Sequence, residues 1–317
     1  MKGVVGTCRW LAVGLAALAA AGCNPARPEH ALTRRQLIDA HNANASAIPR
    51  LWARAKIALT LTDDGGRTFS WGSTSRLDGA NGLLLYACSP QPLGPHDFVL
   101  IGRAAGATEL FRLGNSASEG VYYLWYNFGD RGRALWGRDA LAGAAGATMP
   151  IDPMQILAVL NITPLPADFA ALPAAVLTLS DSSPWSYVLT VIDRQPLTGE
   201  IVCRREIRCA WDDRKEALPY RVDLFDGAGQ RVMTAELRDY RPIRAADSPG
   251  AALRMPTDIT IVWPQKRSRI HLVLSEMTTE PTWDRSQALF EAHLPAGLTP
   301  DQITQVDKQL DTEGQAK

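Results

Sequence analysis

Apolar and polar positions alternate with period two over much of the chain. Ile57, Leu59 and Leu61 are separated by Ala58 and Thr60 and flanked by Lys56 and Thr62. Such alternation marks a strand with one face in a core and the other toward water. The run DDGG at 63–66 is a turn, and 67–71 reads as the returning strand. A second turn at 78–82 leads into LLLYA, and strands follow at 98–101, 109–113, 121–126 and 134–136. The second half is more regular. Tyr187, Leu189 and Val191 alternate, as do Tyr220, Val222 and Leu224, then Ile259, Ile261 and Trp263, then Ile270, Leu272 and Leu274. Further strands are expected at 201–211 and 231–240, with turns at 196–199, 213–217, 226–229 and 264–268. Strands at this spacing form an antiparallel meander. The period changes to helical in two places. Thr33 and Gln36 fit a capping box ahead of Leu37, Ile38, His41 and Ala45. Asp152 as cap with Pro153 at the first position predicts a short helix over 152–160, with a broad apolar face. The chain is therefore expected to be mainly β (α+β), a long antiparallel sheet with two or three helices. Its apolar face needs a cover, either the helices or a bound apolar ligand. Trp52, Trp71, Trp211 and Trp263 are expected to pack inside. The end after Pro300 is polar and reads as a frayed tail.

The N-terminus has a different grammar. Lys2 and Arg9 supply positive charge, a run of small apolar residues follows, and it ends in Ala20-Ala21-Gly22-Cys23. This is the layout of a secretory signal that ends in a cysteine. It resembles a bacterial lipoprotein signal, which implies that Cys23 becomes the lipid-bearing first residue of the mature protein. The 13 residues between Arg9 and Cys23 are too few to span a bilayer, which takes about 20. Asn24 is not the Asp that in such proteins favours inner-membrane retention, so the resemblance implies the outer membrane, facing the periplasm.

Charge removes one class of partner. The chain has 33 basic and 33 acidic residues, and loss of Lys2 and Arg9 with the signal leaves no basic footprint for nucleic acid. Of the five cysteines, Cys8 leaves with the signal and Cys23 carries the lipid. Cys203 and Cys209 on one straight strand would lie about 20 Å apart, beyond bridging distance. A bridge from Cys88 to either of them, or three free buried thiols, both fit an oxidising compartment.

Motifs for catalysis and cofactors are absent: the chain has no GxSxG, HExxH or GxxxxGK[ST]. His30, His41, His96, His271 and His293 share no ligand spacing, so no metal or cofactor is expected and no catalytic residue is assigned. Asp212, Asp213 and Asp226 sit at turns, where Asp serves local hydrogen bonding. Aromatic residues are the stronger lead. Tyr122, Tyr123, Trp125, Tyr126 and Phe128 crowd one segment, with Trp136 on the next. They suit a cavity mouth or partner surface, and equally a sheet core with cross-strand pairs.

The lipoprotein signal, the helix leading into strand 56–62, and the meander 186–240 with its segment LPYRVDLFDGAG at 218–229 together resemble the outer-membrane lipoprotein carrier and receptor (LolA/LolB) superfamily. The resemblance implies a strongly curved antiparallel sheet, an unclosed barrel wrapped around two or three helices. Its implied organisation is signal 1–22, tether 23–31, open-barrel domain 32–282 and polar tail 283–317. Cavity candidates are Ile57, Leu59, Leu61, Trp125, Trp136, Leu189, Val191, Val222 and Leu224. The expected function is that of a non-enzymatic envelope lipoprotein, held to the membrane by Cys23, that binds a lipid or acylated lipoprotein. The alternative is a structural or protein-interaction lipoprotein whose barrel the helices plug. A hydrolase with an unrecognised site is the third reading.

Overall fold

Thr33 opens the first element. Its hydroxyl accepts from the Gln36 backbone N–H (3.3 Å), and its own N–H donates to the Gln36 side chain (2.9 Å). This capping box satisfies donors that the first helical turn leaves free, and helix α1 (Arg34–Ser46) follows. The computed structural model describes residues 28–63, 65–75, 78–88, 96–104, 108–128, 131–139, 149–168, 170–194, 199–211, 216–243, 253–279, 289–293 and 298–308. Cys23, Asp212 and Asp213 lie outside them.

Strand β1 (Arg50–Thr62) turns into β2 (Thr68–Gly72). Strands β3 (Gly82–Ala87), β4 (Asp97–Arg103), β5 (Glu109–Ser116), β6 (Val121–Phe128) and β7 (Arg131–Arg138) form a first meander. Helix α2 (Pro153–Val159) comes next. A second meander runs through β8 (Ala174–Leu179), β9 (Ser186–Arg194), β10 (Ile201–Ala210), β11 (Pro219–Phe225), β12 (Arg231–Pro242), β13 (Arg254–Trp263) and β14 (Ser268–Thr278). A single 3₁₀ turn, Pro300–Gln302, leads into β15 (Ile303–Gln305).

All these strands belong to one large, curved, unclosed sheet in the order β15-β7-β6-β5-β4-β3-β1-β14-β13-β12-β11-β10-β9-β8. Strand β1 joins the two meanders, with β14 on one side and β3 and β2 sharing the other. Pairing is antiparallel except for β15, which runs parallel to β7. At the joint between β2 and β3 the Ile57 backbone meets a side chain in place of a strand. Asn81 Oδ1 accepts from the Ile57 N–H (2.7 Å) and Asn81 Nδ2 donates to the Ile57 carbonyl (3.0 Å). Gly72, at φ +79°, makes the joint, and a Cβ there would fall 2.0 Å from the Ile57 carbonyl oxygen.

Two α-helices are present among the described residues, and both bury residues in the core against one face of the sheet. Trp211 and Trp263 are in that core and Trp71 packs half-buried against it. Trp52 departs from expectation: it packs on the opposite face, beside Phe290, because it falls between Leu51 and Ala53 on β1 and both of those face the core. The tail also departs from expectation. Instead of fraying after Pro300, the chain adds β15 to the edge of the sheet, and the Asp307 carboxylate accepts from the Arg138 N–H at 2.7 Å. Strand β8, absent from the sequence reading, forms the other edge. Cys88, Cys203 and Cys209 are in no disulfide among the described residues, and β10, with one bulge after Cys203, runs between the last two.

Candidate functional site

The sequence-derived candidates fall on two different faces. Ile57, Leu59, Leu61, Leu189, Val191, Val222 and Leu224 all lie in the main core, shared with Leu37 and Ile38 of α1 and Ile156, Leu157 and Val159 of α2. This face is covered. Helix α2 is capped locally and is held there by two side-chain contacts. The Asp152 carboxylate caps it, accepting from the Met154 N–H at 2.9 Å. Trp263 Nε1 donates to the Gln155 side chain at 2.6 Å. Arg205 donates to the Ala158 carbonyl at 2.9 Å, where the helix dipole favours a cation. Burial pulls the Arg205 guanidinium down to about 10.

The polar side of α1 pins neighbouring chain. His41 Nε2 meets the Thr163 carbonyl at 2.9 Å, and burial pulls this imidazole down to about 4, so it is neutral at pH 7. Asn42 clamps Leu165 through both its amide groups, at 2.9 and 2.7 Å. Asn44 clamps Arg254 in the same way, at 3.2 and 3.1 Å. These residues tie α1 to the chain around it.

Trp125 and Trp136 lie on the other face of the sheet. Tyr122, Leu124 and Tyr126 of β6 point into the core, so Tyr123 and Trp125 point outward, opposite Trp136 and Ala134 of β7. With Val121 and Ala292 they line a groove of about 250 Å³. The Trp125 indole N–H is buried and has no hydrogen-bond acceptor among the described residues. An unmatched buried donor costs about 1–3 kcal/mol. The groove is bounded by chain that reads as polar tail in the sequence. Phe290 is buried against Leu85, Ala87, Val99 and Ile101. Tyr123 Oη donates to the Phe290 carbonyl (2.8 Å), Arg112 reaches the Leu289 and Glu291 carbonyls (both 3.4 Å), and the Ala292 N–H donates to Glu119 (3.0 Å). Val121, Glu119 and Ala292 were missed by sequence reasoning, and Tyr123, named in the aromatic lead, was left out of the cavity candidates. The available signal was the aromatic at each alternate position, Tyr123 and Trp125, on the side of β6 away from Leu124.

A third cluster sits on the outer face. Thr74 Oγ1 lies 2.8 Å from His271 Nδ1, and His271 Nε2 lies 3.0 Å from Asp258 Oδ1. The order hydroxyl, imidazole, carboxylate has the form of an activated nucleophile. Here it ties segment 73–75 to β13 and β14, helped by Lys56, which donates to the Ser75 carbonyl at 2.9 Å. Asp226 accepts from the backbone of Ala228 and Gln230, the local role expected at a turn. Among the described residues no three His, Cys, Asp or Glu side chains are grouped to hold a metal ion, and no helix is long and apolar enough to cross a membrane.

No family model and no curated protein matches the chain. Several solved structures are similar to it. One is a LolA superfamily protein from Nitrosomonas europaea, 12% identical, covering 82% of this chain and 98% of its own, with a TM-score of 0.44. A second is an outer membrane lipoprotein-sorting protein domain from Vibrio parahaemolyticus, 9% identical, covering 88% and 97%, with a TM-score of 0.44. A third is a DUF1329 family protein from Desulfovibrio piger, 12% identical, covering 81% and 97%, with a TM-score of 0.47. At this level of likeness, function rests on the chain's own geometry.

Proposed function

We propose that the protein is a non-enzymatic cell-envelope lipoprotein, anchored through Cys23 in the outer membrane and facing the periplasm. Its curved sheet wraps around α1 and α2 and holds a lipid, or the acyl chain of a lipoprotein, against the face they cover. The observation that carries this reading is the shared core: Leu59, Leu189 and Val222, on separated strands, and Leu157 of α2 belong to one apolar surface. Helix α2 is only 7 residues long, too short to be stable without packing. An acyl chain that takes the place of Ile156, Leu157 and Val159 buries equivalent apolar area, so the exchange costs little.

The test is native mass spectrometry of the chain from Asn24 onward, purified from a bacterial periplasm. A co-purifying lipid mass is expected, with more of it on Leu157→Ala, which loosens α2. Protein that stays free of lipid after incubation with membrane lipids overturns the reading. That outcome favours the second reading, a structural or protein-interaction lipoprotein whose sheet the helices fill. The complete burial of Ile57, Ile156 and Leu272 supports it.

A further inference from the structure

We propose that Arg205 receives the head of the lipid held on the inner face, and that this head is anionic, a carboxylate or phosphate on an acyl chain. The inference rests on the inner-face reading above and narrows it, since a neutral lipid is then the poorer ligand. Position, charge and the exchange with α2 each point to this chemistry.

Arg205 lies on β10 opposite Val191 of β9 and Leu224 of β11. The core opens toward water along these strands. Exposure rises from 1% at Leu189 to 6% at Val191, and from 3% at Val222 to 9% at Leu224. On β10 itself Ile207 is buried and Arg205 half-buried. The guanidinium faces the helices, since its Nη1 donates to Ala158 of α2. It therefore stands at the mouth of the apolar face, where one polar group can orient an amphiphile.

This cation has no counter-charge. Among the described residues Arg205 makes that one hydrogen bond and no ion pair, and its other donors are not sealed from solvent. The neighbouring carboxylates are engaged elsewhere. Glu206 meets Arg208 at 3.5 Å on the other face, and Asp193 accepts from the Arg194 N–H at 2.7 Å. Burial is what lowers the guanidinium, with no carboxylate acting against it. Burial first, and then the Arg205 charge, hold His41 neutral beside it. A cation taken out of water without a partner is costly, and an anion brought to it recovers that cost.

The exchange with α2 selects the anion. An acyl chain that takes the place of Ile156, Leu157 and Val159 also takes the Ala158 carbonyl away from Arg205. A neutral ligand would leave the guanidinium with no partner at all. An anionic head replaces one neutral acceptor with charge-assisted hydrogen bonds to the planar fork.

The experiment is calorimetric titration of the chain from Asn24 onward, at a mildly alkaline pH where decanoate is ionised. Decanoate, methyl decanoate and decyltrimethylammonium share a tail and differ in the head. Decyl phosphate and inorganic phosphate separate a lipid head from a free anion. Decanoate and decyl phosphate should bind at least about tenfold more tightly than the ester, the smallest effect expected of a charge-assisted hydrogen bond, and the ammonium should bind most weakly. Inorganic phosphate should bind far more weakly than decyl phosphate, because it lacks the tail that Val191 and Leu224 meet. Arg205→Met should weaken decanoate about ten- to a hundredfold and leave methyl decanoate within about twofold. A merely structural Arg205 would move the two probes together. Arg205→Lys keeps the charge and loses the fork, so it should retain a reduced preference for the acid; it replaces Arg205→Met if that variant does not fold. The proposal is overturned by methyl decanoate binding as tightly as decanoate in the wild type, by inorganic phosphate matching decyl phosphate, or by unchanged decanoate binding in folded Arg205→Met. Equal binding of acid and ester overturns this proposal alone and leaves the lipid reading of the inner face standing. Failure of every probe that carries a tail overturns both.

Discussion

The hydroxyl of Tyr123 donates to the main-chain carbonyl of Phe290 at 2.8 Å, joining residues 167 apart in sequence. Tyr123 stands over Gly114 of the neighbouring strand, where a Cβ would come within 2.9 Å of the tyrosine hydroxyl. The bond fixes the backbone on either side of Phe290, whose ring is 3% exposed between β3 and β4. Segment 289–293 is thus part of the folded domain and covers the outer face of the sheet.

Phe290→Ala should therefore cost about 3 kcal/mol, the usual range for a buried aromatic truncated to Ala. Tyr123→Phe should cost about 1 kcal/mol, for one hydrogen bond. Both should speed amide exchange at 289–293 with little change in β12 and β13. Urea titrations with exchange mass spectrometry read both quantities. A change of only a few tenths of a kcal/mol in Phe290→Ala would show that the segment is not docked in solution.

The docked segment also explains which parts of the sequence were legible. Strand β1 read correctly because one of its faces is apolar and the other polar, and the caps at Thr33 and Asp152 read correctly because capping is local chemistry. Strands β3, β4 and β6 are apolar on both faces: Leu84 and Leu85, Leu100 and Ile101, Leu124 and Trp125 are all buried. One face packs on the helices and the other on, or beside, the segment 289–293. Strands buried on both sides lose the alternation that would tell the faces apart. Trp125 was therefore grouped with Leu59, although the two lie on opposite sides of the sheet. Strand β8 escaped notice for the opposite reason: as an edge strand it leaves Val176 and Leu179 exposed and shows no clean burial pattern. Strand β15 has 3 residues, too few for any period to show.

Asn81 stands in for a strand at the joint beside β1. Asn81→Ala leaves the Ile57 N–H and carbonyl without partners and should cost about 2–3 kcal/mol. Asn81→Asp keeps an acceptor for the N–H but sets a carboxylate against the Ile57 carbonyl, and should be at least as damaging. Chemical denaturation of the two variants checks this. If Asp were tolerated, the amide N–H would have no structural part in the joint.

His41 predicts a loss of stability in acid. Burial, against the favourable Thr163 hydrogen bond and with the Arg205 charge adding to it, lowers its pKa from 6.5 to about 4. Between these values the unfolded chain takes up a proton that the folded chain refuses. Stability thus falls as pH drops from about 6.5 to about 4, by at most about 1.4 kcal/mol per pH unit, and this contribution is flat below that window. His41→Gln retains a donor for Thr163 and cannot titrate. The urea midpoint of this variant should change less between pH 7 and pH 4.5 than that of the wild type. Equal changes would mean that His41 is solvated and titrates normally.

Asp139 contributes with the opposite sign, so the two groups must be separated by substitution. Both its carboxylate oxygens are buried, with the Asn115 side chain as the neighbour that favours their charge. Burial first, with the nearby Asp97 charge adding to it, pushes its carboxyl up to about 6 from 3.8. Between these values the folded chain holds a proton that the unfolded chain releases. The group's contribution is full below about 3.8, declines as pH rises, and above about 6 the folded state carries a desolvated carboxylate. Asp139→Asn removes that burden. The variant should gain on the wild type through the window and then level off, ending about 1 kcal/mol further ahead at pH 7.5 than at pH 4 once solvent screening is allowed for. Paired denaturation curves across this range measure the difference directly. A gap that does not vary with pH would show that Asp139 is ionised in the folded state throughout, with solvent or a counter-charge satisfying its oxygens.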